Sequence, residues 1–379
     1  MDKNIALLLY TSGLDYDDRI RKEILTIKKL FPGVNFKIFA VEHKNREESG
    51  TTSYGVPYRI HFLKSREKYA SGTHTLAKAW DFYKSVREEL KEFDAIWCAD
   101  IETFLFVFLA HGKPVLWDLH ELPARFMHNP IMKLLFRHLE RKCRVMMHAN
   151  EARLNLLDSM GLVSNRKKHF VLRNYPQFNE IDTEYDDKYR QFDLWLGNSK
   201  CVYLQGVNDA NRAAFESIDA VMSFPEIKAV VVGNFEQKIL ARLKEKYGDD
   251  LSHRIFFTGM VKQLKTPQYI RRCFMSLVFY KNTSPNNFYC EANRFYQNII
   301  NGNPVVVGNN PPMRELIERY GFGVSIDDDG SDVEAIIAGI KQLMSQYDDY
   351  KANIDKNKQH LLWDSQVDTH KSIIKKIFD

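Results

Sequence analysis

The chain has 379 residues, 44% hydrophobic and 27% charged, with a formal net charge of +5. That length exceeds what one hydrophobic core usually supports, so two domains are expected, and the composition excludes a disordered or collagen-like chain. The longest strongly apolar stretch, Phe104 to Ala110, has seven residues, whereas a spanning helix needs about 20, and Met1 to Tyr10 lacks the parts of a signal peptide.

Short apolar runs alternate with segments of helical period, the pattern of repeated βαβ units on parallel sheets. In chain order the first half predicts a strand at Ile5–Tyr10, a helix at Asp17–Leu30, and strands at Asn35–Val41 and Pro57–Leu63. A helix at Leu76–Leu90, a strand at Ala95–Cys98, a helix from Glu102 and a strand at Pro114–Asp118 follow. A basic helix at Pro130–Lys142, a strand at Arg144–His148, a helix at Glu151–Met160 and a strand at His169–Leu172 complete a doubly wound domain over 1–178. Residues 179–200 are rich in Asn, Asp, Tyr and Gln without a clear period, and they read as a linker. The pattern restarts over 201–362, with strands at Cys201–Gln205, Ala229–Gly233, Ile255–Thr258, Ser276–Tyr280 and Pro304–Gly308 and a late helix at Val333–Met344. The tail, 363–379, reads as a further helix. The fold class is therefore α/β, with two doubly wound Rossmann-like domains whose strand ends meet at a cleft.

Cys98, Cys143, Cys201, Cys273 and Cys290 lie far apart without a C-x-x-C, so they read as small buried hydrophobes and not as a zinc site or disulfide framework. Charge is unevenly spread. From Lys133 to Lys168 nine Lys and Arg stand against Glu140, Glu151 and Asp158, which suits an anionic partner such as a membrane surface, with a solvated basic face as the alternative. No nucleic-acid partner is expected.

Chemistry concentrates in Ser284 to Val307, a polar loop, a helix, a glycine turn and a buried strand. A loop feeding a helix N-terminus presents unpaired N–H groups and the positive end of the helix dipole, so a pyrophosphate fits there. Asn293 and Gln297, four residues apart, share one helix face, with Glu291 and Tyr289 at its mouth. Such groups suit ribose or sugar hydroxyls.

The stretch N-R-F-Y-Q-N-I-I-N-G-N-P-V, Asn293 to Val305, resembles the donor-binding motif of glycosyltransferase family 4 and its relatives, often N-K-L-F-E-Y-M-A-A-G-x-P-V. In the register set by Gly302 and Pro304, Asn293 matches the family's Asn, Arg294 its Lys, and Gln297 the Glu that usually meets the nucleotide ribose. Gln keeps an acceptor and loses the charge. Tyr289 stands where many relatives carry Glu near the donor sugar, and Glu291 is a candidate replacement. Tyr203-Leu204-Gln205-Gly206, with Arg212 following, resembles the strand, glycine loop and basic residue that cradle the donor diphosphate, with Val207 in the place of the second basic residue. Phe257 to Val261 resembles the turn whose backbone meets the base. In the first half, Asp17 to Glu23 after the Gly13 loop resembles a D-x-R-V-x-x-E helix entry, Asp118-Leu119-His120-Glu121 a D-x-H-E at a strand end, and Asn174 with Pro176 an N-x-P before the linker.

The resemblance implies two-domain GT-B architecture, a C-terminal helix crossing back to the first domain, and transfer of a sugar from a nucleoside diphosphate-sugar to a hydroxyl of a glycan or lipid-linked acceptor. It also implies work in bacterial surface polysaccharide synthesis, in the cytoplasm or peripherally on the inner membrane face. Gly206, Arg212, Val261, Tyr289, Asn293, Arg294 and Gln297 would bind donor, Gly13, Asp15, Arg19 and Asp118 would lie on the acceptor side, and His120, Glu121 and Glu291 are the catalytic candidates. No suitable D-x-D is present, so no metal or cofactor is expected and the arginines and helix N–H groups would stabilise the departing diphosphate. Inverting chemistry would need a base such as Glu121, His120 or Asp15; family 4 is retaining and needs none. The alternatives are a non-catalytic nucleotide-sugar-binding subunit and a nucleotide-sugar epimerase of the same fold.

Overall fold

The computed structural model describes residues 2–10, 14, 17–177, 185, 187–206 and 208–379. Gly13, Asp15 and Val207 lie outside the described residues. Two compact units are present, the first formed by Met1–Asn174 with Gln366–Asp379 and the second by Tyr175–Ser365.

The first unit is built on strands β1 (Lys3–Tyr10), β2 (Val34–Val41), β3 (Glu48–Thr51), β4 (Pro57–Ile60), β5 (Ala95–Ala99), β6 (Val115–Leu119), β7 (Val145–His148) and β8 (His169–Val171). They form one sheet in the order β3-β4-β2-β1-β5-β6-β7-β8, parallel throughout except for β3. Ile5 to Leu9 and Ala95 to Ala99 are buried without interruption, as expected of strands covered on both faces. The exposed edge strand β3, Glu-Ser-Gly-Thr, is absent from the sequence reading because it carries no apolar period. Helix Asp18–Leu30 begins where the Asp17 side chain accepts from Ile20 N, and it buries Ile20, Ile24 and Ile27. The last helix, Val367–Phe378, packs against it within this unit.

The second unit contains β9 (Lys200–Gln205), β10 (Ile227–Val232), β11 (Ile255–Gly259), β12 (Met275–Val278), β13 (Val305–Val307) and β14 (Gly323–Ser325), all parallel, in the order β11-β10-β9-β12-β13-β14. Strand β14 is a further addition to the sequence reading. The segment read as a linker contains helix Asp187–Leu196, with Tyr189, Phe192 and Leu196 buried against Tyr203 and Tyr269. Its apolar positions fall at i, i+3 and i+7, a helical stripe that the polar residues between them conceal.

Each sheet reverses its winding once. In the first the reversal lies between β1 and β5, and in the second between β9 and β12. Above the second sheet, the turns after β9, β10 and β11 interlock: Gly206 N donates to Val232 O at 2.9 Å and Gly233 N to Gly259 O at 2.8 Å. Gly233 has φ 111°, and a Cβ there would stand 2.3 Å from the Gly206 carbonyl oxygen. Gly233→Ala is therefore expected to destabilise the second unit by about 3 kcal/mol, combining strain with a backbone clash. Urea unfolding checks this, and an unchanged midpoint would refute the interlock.

Candidate functional site

In the second unit, Arg294 sits in the first turn of helix Asn293–Ile300 and is buried. Its Nη1 donates to Gln205 O at 3.0 Å and its Nη2 to Phe279 O at 2.8 Å, bridging the carboxyl ends of β9 and β12. Nε is shielded from solvent and has no partner among the described residues. Burial pushes the guanidinium pKa down. The planes of Arg294 and Arg212 both meet the Tyr280 ring, with guanidinium carbons 4.8 and 5.4 Å from its centroid. Asp209 caps the turn that carries Arg212, accepting from its N–H at 3.1 Å. Gly206, at φ 115°, lets the loop pass beside Arg294, for a Cβ would lie 3.2 Å from Nη1. A small pocket opens here, lined by Gln205, Asn208, Arg212 and Arg294 over Leu204 and Leu277.

Around this pocket the chain holds its loops with amides. Asn310, wholly buried, donates from Nδ2 to Asn287 O at 3.0 Å and Tyr280 O at 3.3 Å. The expected single helix after Ser284 is instead two: one turn at Pro285–Phe288, capped by Ser284, and then Asn293–Ile300, whose N-cap residue Ala292 supplies no side-chain cap. The break falls at Tyr289–Ala292, where Glu291 accepts from the Tyr296 hydroxyl.

In the first unit a charge cluster lies at the ends of β5 and β6. Arg19 Nη2 donates to Asp118 Oδ1 at 3.0 Å and Arg19 Nε to Glu23 Oε1 at 3.0 Å, all three side chains being buried. His120 Nε2 meets Asp118 Oδ2 at 2.8 Å, and its Nδ1 faces Asp100 Oδ2 at 3.6 Å. Burial and the neighbouring Asp118 charge push the Glu23 carboxyl up to about 8. Burial alone would also raise Asp118, yet Arg19 and His120 hold it well below the usual carboxylate range. The Asp118 charge and hydrogen bond outweigh the burial of His120 and raise it to about 9. At neutral pH the ring is an imidazolium, a double donor and no base.

Solved structures similar to nearly the whole chain include sucrose-phosphate synthase from Thermosynechococcus elongatus (13% identity, 99% of both chains, TM-score 0.74), HepE from Anabaena in complex with UDP (16%, 100% and 99%, 0.70) and trehalose 6-phosphate synthase from Burkholderia multivorans (11%, 100% and 98%, 0.72). No family model matches the sequence, and no curated protein does. The fold is that of the GT-B glycosyltransferases.

On this GT-B frame the sequence-predicted residues fall into two groups. Gly206, Arg212 and Arg294 converge on one pocket, and Gln297 lies on the same helix as Arg294, its Oε1 shielded and without a partner among the described residues. Asn293 is exposed at the start of that helix, Tyr289 packs edge-on to Phe288, and the Val261 side chain turns into the core beneath β11. In the first unit Arg19, Asp118 and His120 converge, while Glu121 is exposed beside them. Sequence reasoning passed over Asp100, Arg153, which donates to His120 O, and Asn310. A carboxylate one residue beyond a buried strand was the available signal for Asp100; the other two carry no local signature.

The first-unit cluster makes stability depend on pH. Glu23 and His120 both hold protons in the folded chain more tightly than in the unfolded one, so their contribution is lost as pH rises, from about 4.5 to 8 for Glu23 and from about 6.5 to 9 for His120. Urea unfolding free energies are expected to decline between pH 7 and 9, and Glu23→Gln to flatten that decline. A slope identical in the two proteins would mean that Glu23 is ionised throughout.

Proposed function

We propose that the chain is a glycosyltransferase that moves a sugar from a nucleoside diphosphate donor to a hydroxyl of a glycan or lipid-linked acceptor, without a metal. The observation that carries this reading is the pair of guanidinium groups at the strand ends of the second unit, on a GT-B fold. Arg212, the free Nε of Arg294 and the uncapped N-terminus of helix Asn293–Ile300 offer donors to a diphosphate. Gln297 Oε1 offers an acceptor to a ribose hydroxyl. Support for uracil as the base comes from HepE, solved with UDP and with UDP-glucose, and from a UDP-forming trehalose-phosphate synthase of Burkholderia xenovorans.

Retention of anomeric configuration follows the resemblance to family 4, in which no protein base is needed. In that step the bond from the anomeric carbon to phosphate breaks, the acceptor oxygen bonds on the same face, and the hydroxyl proton passes to the departing phosphate oxygen. Gln297, uncharged where relatives carry Glu, favours a second reading as a non-catalytic binding subunit. UDP-sugar binding without release of UDP would select it.

A thermal-shift series with UDP, GDP, ADP, CMP and their sugar conjugates is expected to single out one nucleoside diphosphate. Arg212→Ala should then weaken that ligand roughly 10- to 100-fold, the scale of a lost hydrogen bond to a charged group. Asn293→Ala should act in the same direction. Unchanged affinity in both would remove the diphosphate assignment.

The acceptor and its setting are part of the proposal. Helix Pro130–Lys142 buries Phe136 and Leu139 and exposes Ile131 and Leu134 among Lys133, Arg137, Arg141 and Lys142. This face suits an anionic bilayer bearing a lipid-linked acceptor, at the inner membrane face of a cell that builds surface polysaccharide. Among the described residues no helix is long and apolar enough to cross a membrane. Cosedimentation with phosphatidylglycerol vesicles, lost with pure phosphatidylcholine or on Leu134→Gln with Lys133→Glu, is the expected result. Equal recovery with both lipids would dismiss the surface.

A further inference from the structure

The segment Phe279–Lys281, which follows β12, is tied to the pocket of the second unit at each of its residues. Phe279 O accepts from Arg294 Nη2 at 2.8 Å, and Tyr280 O accepts from Asn310 Nδ2 at 3.3 Å. Lys281 N donates to Asn211 O at 2.7 Å, in the turn Ala210–Arg212 that carries Arg212. The backbone on both sides of the Tyr280 ring is therefore fixed to the two elements that bring in the arginines. The ring centroid lies 4.8 Å from the Arg294 guanidinium carbon and 5.4 Å from that of Arg212, and the Tyr280 hydroxyl makes no hydrogen bond among the described residues.

The two cations meet one ring without the close carboxylates that usually attend a buried charge. Arg294 forms no ion pair among the described residues, and the Arg212 charge adds to burial in pushing its pKa down. Asp209 Oδ2 stands 4.0 Å from Arg212 Nη1, while Asp209 Oδ1 caps the turn by accepting from Arg212 N at 3.1 Å. In the first unit, by contrast, the buried Arg19 uses its N–H groups on Asp118 and Glu23. A carboxylate neutralises a guanidinium by accepting from its N–H groups, the same donors that grip a phosphate. An aromatic ring attracts the cation through its π face and presents no oxygen that competes for them.

We propose that Tyr280 is a positioning residue of the diphosphate site: its ring holds Arg212 and Arg294 together and leaves their remaining N–H groups for phosphate oxygens. The ring acts through the two arginines. Without it, two like charges with no carboxylate between them repel, and Arg212, the half-buried one of the pair, is the one free to turn away toward solvent. Arg294 stays, because two carbonyls hold it. The inference rests on the reading of this pocket as the site of a nucleoside diphosphate, and it adds the residue that keeps both cations aimed at that ligand.

Calorimetric titrations with UDP, uridine and inorganic pyrophosphate separate the role of the ring from the identity of the ligand. Tyr280→Phe keeps the ring and is expected to bind UDP within twofold of wild type. Tyr280→Leu removes it and is expected to weaken UDP and pyrophosphate roughly 10-fold, the scale of two cation–π contacts, with uridine unchanged within twofold. Tyr280→Glu offers the arginines a carboxylate instead, so it is expected to melt no lower than Tyr280→Leu and yet to bind UDP more weakly. A ring that only fills space would let uridine fall with UDP in Tyr280→Leu, and that result would overturn the assignment. So would UDP binding within twofold of wild type in either Tyr280→Leu or Tyr280→Glu. Should Tyr280→Leu not fold, the comparison of Tyr280→Phe with Tyr280→Glu decides in its place, equal UDP affinities counting against the ring. Pyrophosphate, which lacks a base, keeps the comparison valid whichever base the pocket prefers. Wild-type protein that binds no pyrophosphate, and UDP no more tightly than uridine, would refute the diphosphate site itself before any variant is compared.

Discussion

A parallel sheet wound in both directions must open above two neighbouring strands, because the chain leaves them toward opposite faces. The carbonyls that end those strands lose their ladder partners there, and something has to meet them. In the second unit the answer is a single side chain. Arg294 gives one N–H to the end of β9 and one to the end of β12, and a cation is thereby set into the rim of the opening. Burying a guanidinium is costly unless its donors are used. Two carbonyls use part of them, and the Nε that remains is the group that a bound anion would complete.

The first unit solves the same problem differently. Its buried cation, Arg19, comes from the helix after β1 and reaches across to Asp118 at the end of β6. One guanidinium then serves two carboxyl groups in a space from which water is excluded. Both cannot ionise cheaply, and Asp118 prevails because His120 hydrogen-bonds it directly, whereas Glu23 feels the His120 charge without that bond. The cost appears as a protonated Glu23, and the return is an imidazolium whose free edge faces Asp100. Electrostatics thus shift His120 toward its protonated form.

Much of this frame was legible in the sequence, because strands buried on both faces announce themselves as unbroken apolar runs; Ile5 to Leu9 and Ala229 to Val232 need no context to be read. What escaped lacked that signal. β3 is exposed, β14 is three residues long, and helix Asp187–Leu196 hides its stripe under Asp, Arg and Gln. At the sites, the glycine turn at Gly206 and the Asp118–His120 pair were readable because close backbone approach and local spacing leave marks on the sequence. The bridging role of Arg294 was not, since it depends on two carbonyls 15 and 89 residues away along the chain. Asp100 was missed for a related reason: its φ of 62° is a property of the folded backbone, and its residue type gave no hint of it.

The unsatisfied groups of the two units differ in kind, and that difference argues for two ligands of different chemistry. Over the second sheet stand a donor, Arg294 Nε, and two acceptors, Gln205 Oε1 and Gln297 Oε1, that have no partner among the described residues. A nucleoside diphosphate presents the complement of that set, with anionic phosphate oxygens for the donor and ribose hydroxyls for the acceptors. Over the first sheet the open groups are the Asp100 carboxylate and the imidazolium that faces it. A phosphate would be repelled by Asp100, and an apolar ligand would lie against two charges that face each other across 3.6 Å. The two units therefore call for partners of different chemistry.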